Sequence, residues 1–216
     1  YYLLARTMYY DAVFAAAIHD NVQQIVNVGC GSDTRAHRFG RFLKEKGIQV
    51  LECDQPEAIS VKERIAKRLG PAEHINYAAI DLNDENWPSF EHWLDSIRNM
   101  KTVVIMEGVS PYINHANLDR FLVLLATKLS PDSLVAYDYK IQGISDNLGR
   151  VGRTQNPFRL PLEKEHAIAY HDRLSFQVKH FEQSWELEKR LLPRVADSMT
   201  PLFREDCLLQ IRVNRG

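Results

Sequence analysis

The sequence predicts an α/β fold built on a mainly parallel sheet. Three observations carry this reading: apolar strand candidates alternate in order with helix candidates, a Gly-x-Gly turn follows the first strand, and the next strands end in carboxylates. Alternating strands and helices imply parallel pairing through right-handed crossovers. At 216 residues, 45% hydrophobic and 25% charged, the chain is long enough for one substantial core and short for two.

The elements follow in order. Leu4, Met8, Ala12, Ala15 and Ala16 cluster at helical spacing in an Ala-rich stretch, so a packed helix over Leu3–His19 precedes the first strand. Residue 1 is a tyrosine, so the chain opens partway through that helix, as a trimmed N-terminus or a domain cut from a longer protein would. The first strand spans Ile25–Val28, and Asp33 is placed to cap a helix reaching Lys46, where Gly47 ends it. A second strand, Val50–Asp54, leads through Gln55-Pro56 into a charged helix over Glu57–Leu69, closed by Gly70-Pro71. A third strand over Ile75–Leu82 precedes a helix over Phe90–Arg98, and the apolar run Thr102–Met106 has the polar flanks of a central parallel strand. The helix over His115–Leu129 carries the stripe Leu118, Phe121, Leu122 and Leu125, read as core, and Ser130-Pro131-Asp132 stops it before a fifth strand, Ser133–Tyr139.

After Lys140 the pattern changes. Residues 141 to 160, with Gly143, Gly149, Gly152 and Pro157, read as a cap, Leu162–Leu174 as a helix, and Ser175–Phe181 with Cys207–Val213 as an antiparallel edge pair. The expected organisation is one domain: a cofactor-binding core over 1–140, a substrate cap over 141–174, and a terminal strand pair over 175–216.

The turn Gly29-Cys30-Gly31 has the geometry a nucleotide-like cofactor needs, because glycine lets the backbone turn tightly and approach a ligand, and a fresh helix start adds free N–H donors. Thr34 stands where the dinucleotide fingerprint places its third glycine, and no Lys-Ser/Thr pair follows as in a P-loop. A less anionic adenosine cofactor fits better than a pyrophosphate or a triphosphate.

In open α/β sheets ligands bind beyond the carboxyl ends of the strands, and there the chain places Gly29-Cys30-Gly31, Asp54, Asp81-Leu82 and Glu107. Asp54, 23 residues after Gly31, suits a ribose diol, with Glu52 as its rival. Asp81 and the Leu82 backbone suit an adenine edge, or Asp81 caps the next segment. Glu107 suits a cationic amino group, or pairs with an arginine from the cap.

Taken together, Ala5-Arg6-Thr7, Val28-Gly29-Cys30-Gly31-Ser32-Asp33-Thr34-Arg35, Glu52-Cys53-Asp54-Gln55-Pro56, Asp81-Leu82 and Glu107-Gly108-Val109-Ser110-Pro111-Tyr112 resemble the leucine carboxyl methyltransferase family, over most of residues 5 to 112. The resemblance implies S-adenosyl-L-methionine as cofactor and the Rossmann-like class I methyltransferase fold. That fold has a seven-stranded, mostly parallel sheet with helices on both faces and an antiparallel last strand. It also implies Arg6 at the cofactor's methionine carboxylate, Gly29 at the methionyl and ribose region, Asp54 at the ribose, Asp81 and Leu82 at the adenine, and Glu107 at the amino end. Family members carry more chain before the Arg-Thr motif, including a basic residue that helps hold the cofactor.

The implied reaction is an in-line methyl transfer, which needs mainly proximity and alignment. A carboxylate acceptor, ionised at neutral pH, needs no base. Tyr112, Arg150 and Arg153 are the candidates to orient it, each with a packing or surface role as the alternative. His166 and His171 read as a solvated helix face, as does the charge run from Lys62 to Arg68. No Asn/Asp-Pro-Pro-Tyr/Phe run follows the fourth strand, which favours an oxygen acceptor and a methyl ester on a small-molecule or peptide carboxyl group.

With 27 basic against 28 acidic residues, no overall field draws the chain to nucleic acid or an anionic membrane. No apolar stretch approaches a membrane span and no signal peptide opens the chain, so a soluble cytoplasmic protein is expected. Cys30, Cys53 and Cys207 are too scattered for a zinc site and read as reduced thiols. Two rival functions remain open at this point: a nicotinamide-dependent oxidoreductase and a non-catalytic interaction domain on the same fold. Oligomeric state is not legible.

Overall fold

Every residue of β1 (Gln24–Val28) and β4 (Thr102–Met106) is buried, as parallel strands covered on both faces require. The computed structural model describes residues 1–144, 155–193 and 201–214. Around these two strands the chain adds β2 (Gln49–Asp54), β3 (Ile75–Ala79), β5 (Leu134–Ile141), the two-residue β6 (Arg159–Leu160), β7 (Phe176–Gln183) and β8 (Asp206–Val213). The helices are α1 (Tyr2–His19), α2 (Arg35–Arg38), α3 (Gly40–Lys46), α4 (Pro56–Ala66), α5 (Pro88–Ser96), α6 (His115–Lys128), α7 (Lys164–Arg173) and α8 (Ser184–Leu191).

Seven strands lie in the order β3-β2-β1-β4-β5-β8-β7, and β6 pairs with Lys140 and Ile141 at the end of β5. The pairings from β3 to β5 are parallel, while β8 runs antiparallel to both β5 and β7. The order reverses between β1 and β4, so the carboxyl ends of both strands border one crevice.

Because side chains alternate along a strand, the sheet carries two cores. Val26, Val28, Val104 and Met106 face α5, α6 and α7 through Phe90, Leu94, Leu118, Phe121, Leu122 and Tyr170. Ile25, Val50, Val103 and Ile105 face α1, α3 and α8 through Tyr10, Phe14, Leu43 and Leu187. All three cysteines are free and buried. Among the described residues, no helix is long and apolar enough to cross a membrane.

Several details depart from the sequence reading. The helix expected from Asp33 to Lys46 breaks at Phe39, whose ring stacks on Phe14 at 5.3 Å. The third strand stops at Ala79, because Asp81 turns the chain by accepting the Asn83 N–H at 2.9 Å. The predicted edge pair is only half at an edge: β8 sits between β5 and β7, which explains its burial, and α8 fills the connection.

The helix assigned to a cap, α7, packs on the sheet through Ala167, Tyr170 and His171. His171 is therefore no surface residue. It is fully buried, bonded to the Tyr137 hydroxyl at 2.5 Å and the Ala167 carbonyl at 2.6 Å, and burial lowers its pKa to about 4. His166 is solvated, as expected, and faces Glu163. Lys62 also leaves the solvated charge run: it is buried against Glu52 at 2.9 Å.

Candidate functional site

Parallel strands deliver their next residues to one rim, and the predicted cofactor residues meet there. Gly29 adopts φ +66, and a Cβ on it would stand 2.2 Å from Val109 Cγ2, so the first turn closes directly on the loop after β4. Gly31 is the opposite case. A Cβ there would meet only the Gly29 carbonyl, at 4.0 Å, leaving its face open to approach. The Cys30 side chain points inward, where burial pushes its thiol up to about 12, so only its backbone borders the rim. That backbone is pinned on both sides: its N–H donates to Cys53 and its carbonyl accepts from Lys62 at 3.3 Å.

Asp54 is held at the end of β2 by two backbone donors. Its Oδ2 accepts the Gly31 N–H at 2.8 Å and its Oδ1 the Gln55 N–H at 2.7 Å. Each carboxylate oxygen has two lone pairs, so the carboxylate is oriented with acceptor capacity left over. Its rival Glu52 is excluded by location: it is 0% exposed, on the α1 face of the sheet, with Lys62 against it. Burial raises the Glu52 carboxyl and Lys62 draws it back. The pair lies under the glycine turn and supports it from below through the Cys30 carbonyl.

Asp81 accepts both the Asn83 N–H and the Gln55 amide at 2.9 Å, so it does cap the segment after β3 while remaining at the rim. Leu82 turns its side chain into the core beside Trp87, leaving its backbone for any ligand. Asn83 then ties this corner to the loop after β4, giving its amide to the Tyr112 carbonyl and accepting the Asn114 N–H, each at 3.0 Å.

Among the described residues, Glu107 pairs with two arginines. Arg6 of α1 approaches Oε1 at 3.3 Å, and Arg35 at the start of α2 reaches Oε2 at 2.8 Å. Arg35 is 3% exposed and also meets Asp11 and Asp33, each at 2.7 Å. A buried guanidinium requires such pairing, and three carboxylates converge to supply it. Arg6 keeps a second partner, Asp138 of β5, at 3.6 Å. The next residue after Glu107 is Gly108, at φ +67, where a Cβ would crowd Arg6 Nη2 at 2.9 Å.

Arg35 and Asp138 were not singled out by sequence reading. The signal for Arg35 was its place in the glycine-turn run beside Asp33. For Asp138 it was a carboxylate inside the apolar run Leu134–Ile141.

Of the orienting candidates, Tyr112 is 45% exposed and lines a cavity of about 340 Å³ with Arg6, Gly108, Asp138, Lys140 and Asp206. Arg150 and Arg153 lie outside the described residues.

The sequence model for leucine carboxyl methyltransferase matches residues 1–126. A Mycobacterium bovis protein named "Putative S-adenosyl-L-methionine-dependent methyltransferase" is 28% identical over 173 residues, covering 79% of this chain and 54% of that protein. A Mycolicibacterium smegmatis protein of the same description is 33% identical over 139 residues, 63% of this chain and 45% of the relative. The chain thus spans about half the length of the curated relatives it matches. Among solved structures, magnesium protoporphyrin IX methyltransferase from Synechocystis PCC 6803 aligns with a TM-score of 0.59 at 12% identity, covering 98% of this chain and 84% of that one. Human N-acetylserotonin methyltransferase aligns at 0.53 and 10% identity, over 95% and 54%. These likenesses give the class I methyltransferase fold. With the family pattern matched over more than half of the sequence, the chain belongs to the leucine carboxyl methyltransferase family.

Proposed function

We propose that this chain binds S-adenosyl-L-methionine along the rim of β1, β2 and β4 and methylates an oxygen, forming a methyl ester on a carboxyl group of a small molecule or peptide. The observation that carries the reading is the pair of opposite charges, Arg6 and Glu107, 3.3 Å apart beside the glycine turn. An amino-acid zwitterion presents the complementary pair, its carboxylate to Arg6 and its ammonium to Glu107. The rest of the rim fits the same group: Asp54 is oriented with free acceptor capacity for a ribose diol, Gly31 leaves its face open, and Asp81 with the Leu82 backbone suits the adenine edge.

When bound, S-adenosyl-L-methionine supplies a sulfonium methyl group to an oxygen nucleophile. The protein's part is proximity, alignment and exclusion of water. Arg6 and Arg35 fix Glu107, Asn83 fixes the loop carrying Tyr112, and Tyr112 borders the space in which an acceptor would be oriented. Arg150 and Arg153 are proposed to assist. An ionised carboxylate needs no proton removed, and family membership supports this acceptor class.

Calorimetric titration with S-adenosyl-L-methionine, S-adenosylhomocysteine and NAD, against wild type and Arg6→Ala, tests the reading. Binding of the first two, weakened at least about tenfold in the variant by loss of a charged hydrogen bond, is expected. Binding of NAD alone would replace the reading with a nicotinamide enzyme, and binding of none would leave an interaction domain.

A further inference from the structure

The cavity beside Arg6 is walled by four separated segments: the start of α1, the turn after β4, the end of β5 and the start of β8. Because β8 is antiparallel, its first residue, Asp206, lies opposite Lys140 at the end of β5. Two buried atoms of this wall have no hydrogen-bond partner among the described residues, the Tyr2 hydroxyl and Asp138 Oδ2. Asp138 is 1% exposed, and its Oδ1 accepts the Tyr10 hydroxyl and the Gly108 N–H, each at 2.8 Å. Among the described residues its Oδ2 accepts no hydrogen bond, and its ion-pair partner is Arg6 Nη1 at 3.6 Å. Buried carboxylate oxygens without donors are costly and uncommon.

The charges around the cavity decide what can complete it. Lys140 is committed to Asp206 at 2.8 Å and Glu205 at 3.3 Å. Arg6 is shared with Glu107, and in the reading above it turns to the cofactor's carboxylate. Asp138 then loses its ion-pair partner while Asp206 remains close. Asp138 Oδ2 calls for a donor on whatever enters, the Tyr2 hydroxyl can in turn donate to an oxygen of the same molecule, and a bare carboxylate would add a third negative group beside Asp138 and Asp206. The Tyr2 and Phe203 rings, stacked at 4.4 Å, give the cavity an aromatic side that suits a carbon skeleton.

We propose that this cavity is the acceptor subsite and that Asp138 Oδ2 receives a hydrogen bond from a donor head group, an ammonium or a hydroxyl, on the molecule to be methylated. A carboxyl acceptor therefore carries such a donor beside the oxygen that takes the methyl group. The inference rests on the proposed cofactor reading only for where Arg6 turns.

Three probes share a phenyl ring and a two-carbon linker and differ in the head group: 2-phenylethylamine, 2-phenylethanol and 3-phenylpropionate. Each is titrated by ligand-observed NMR into the protein saturated with S-adenosylhomocysteine. The amine or the alcohol is expected to bind at least about tenfold tighter than the propionate, the better of the two identifying a cationic or a neutral donor. Asp138→Asn keeps an oxygen for Gly108 and Tyr10 but turns an amide donor toward the cavity, so it should reverse that ranking. Phe203→Ala should weaken the tightest probe and place it in this cavity. Propionate binding as tight as the donors in wild type, or the same ranking in a folded Asp138→Asn, overturns the proposal. Should that variant not fold, the wild-type ranking and Phe203→Ala decide. A failure of S-adenosylhomocysteine to bind counts against the cofactor reading instead; Arg6 then stays on Asp138, and the same probes titrated into Arg6→Ala, which removes that cation, test the donor ranking without the cofactor.

Discussion

Replacing Gly29 with alanine asks how tightly the glycine turn is built against the loop that carries Glu107. Two costs add. Alanine at φ +66 occupies the left-handed region, which costs an L residue about 1–2 kcal/mol. The new Cβ also falls 2.2 Å from Val109 Cγ2, far inside the ~3.5–4.0 Å at which carbon atoms attract, and overpacking of that kind costs about 1–3 kcal/mol. The sum is about 2–5 kcal/mol, or a fall in Tm of about 4–20 °C for a chain of this size. Thermal unfolding of wild type, Gly29→Ala, Val109→Ala and the double variant separates the two contributions. In the double variant the closest remaining Val109 atom is Cβ at 3.4 Å, an ordinary contact. The steric share should then return and the backbone share should not, giving a coupling energy of about 1–3 kcal/mol. A coupling of zero would refute the reasoning, because the turn would then not lean on Val109.

Asp54→Ala should weaken S-adenosyl-L-methionine binding about 10- to 150-fold, the equivalent of about 1.5–3 kcal/mol for charged hydrogen bonds; calorimetry showing wild-type affinity would end the ribose assignment. Lys62→Met strands the buried Glu52 carboxylate, at a cost of about 3–5 kcal/mol in urea unfolding. Adding Glu52→Gln should restore much of that loss, and an unchanged midpoint for Lys62→Met would mean the pair is not buried as described. Burial lowers the His171 pKa from 6.5 to about 4, so the unfolded chain binds the proton first and stability falls as pH drops from 6.5 toward 4. Burial raises Asp138 from 3.8 to about 6, with the opposite sign: its contribution is present below 3.8 and lost as pH rises through 6. The His171 component is therefore read as wild type minus His171→Gln in pH-dependent unfolding, and parallel curves would refute it.

What the sequence made legible was what is local. The strands Gln24–Val28, Gln49–Asp54 and Thr102–Met106 lie within a residue of their expected bounds because each is an apolar run closed by a glycine or a carboxylate. The helix His115–Lys128 keeps its apolar stripe for the same reason, with Asn114 capping it through the Ala116 N–H. Lys62 and His171 were misread because polar residues on a helix usually face water. Their burial depends on partners 10 residues before, at Glu52, and 34 before, at Tyr137, and neither spacing is a local pattern. Helix α8 was missed as a short polar segment, whose start is fixed by reciprocal bonds between Gln183 and Glu186.

The same distinction divides the site itself. Gly29, Asp54, Asp81 and Glu107 all stand just beyond or at the ends of consecutive parallel strands, so topology alone assembles the proposed cofactor side once the strands are recognised. The cavity beside it draws Tyr2 and Arg6 from one helix, Gly108 and Tyr112 from a loop, Asp138 and Lys140 from β5, and Asp206 from the one strand that runs the other way. No spacing in the sequence announces that meeting. If that cavity takes the acceptor, as proposed, a chain can keep its rim while changing its acceptor through substitutions at positions that look unrelated. The proposal for Asp138, held by Tyr10 and Gly108, follows from that meeting: the unpartnered Oδ2 makes a donor on the entering molecule, and not a carboxyl group alone, the feature that the probe ranking tests.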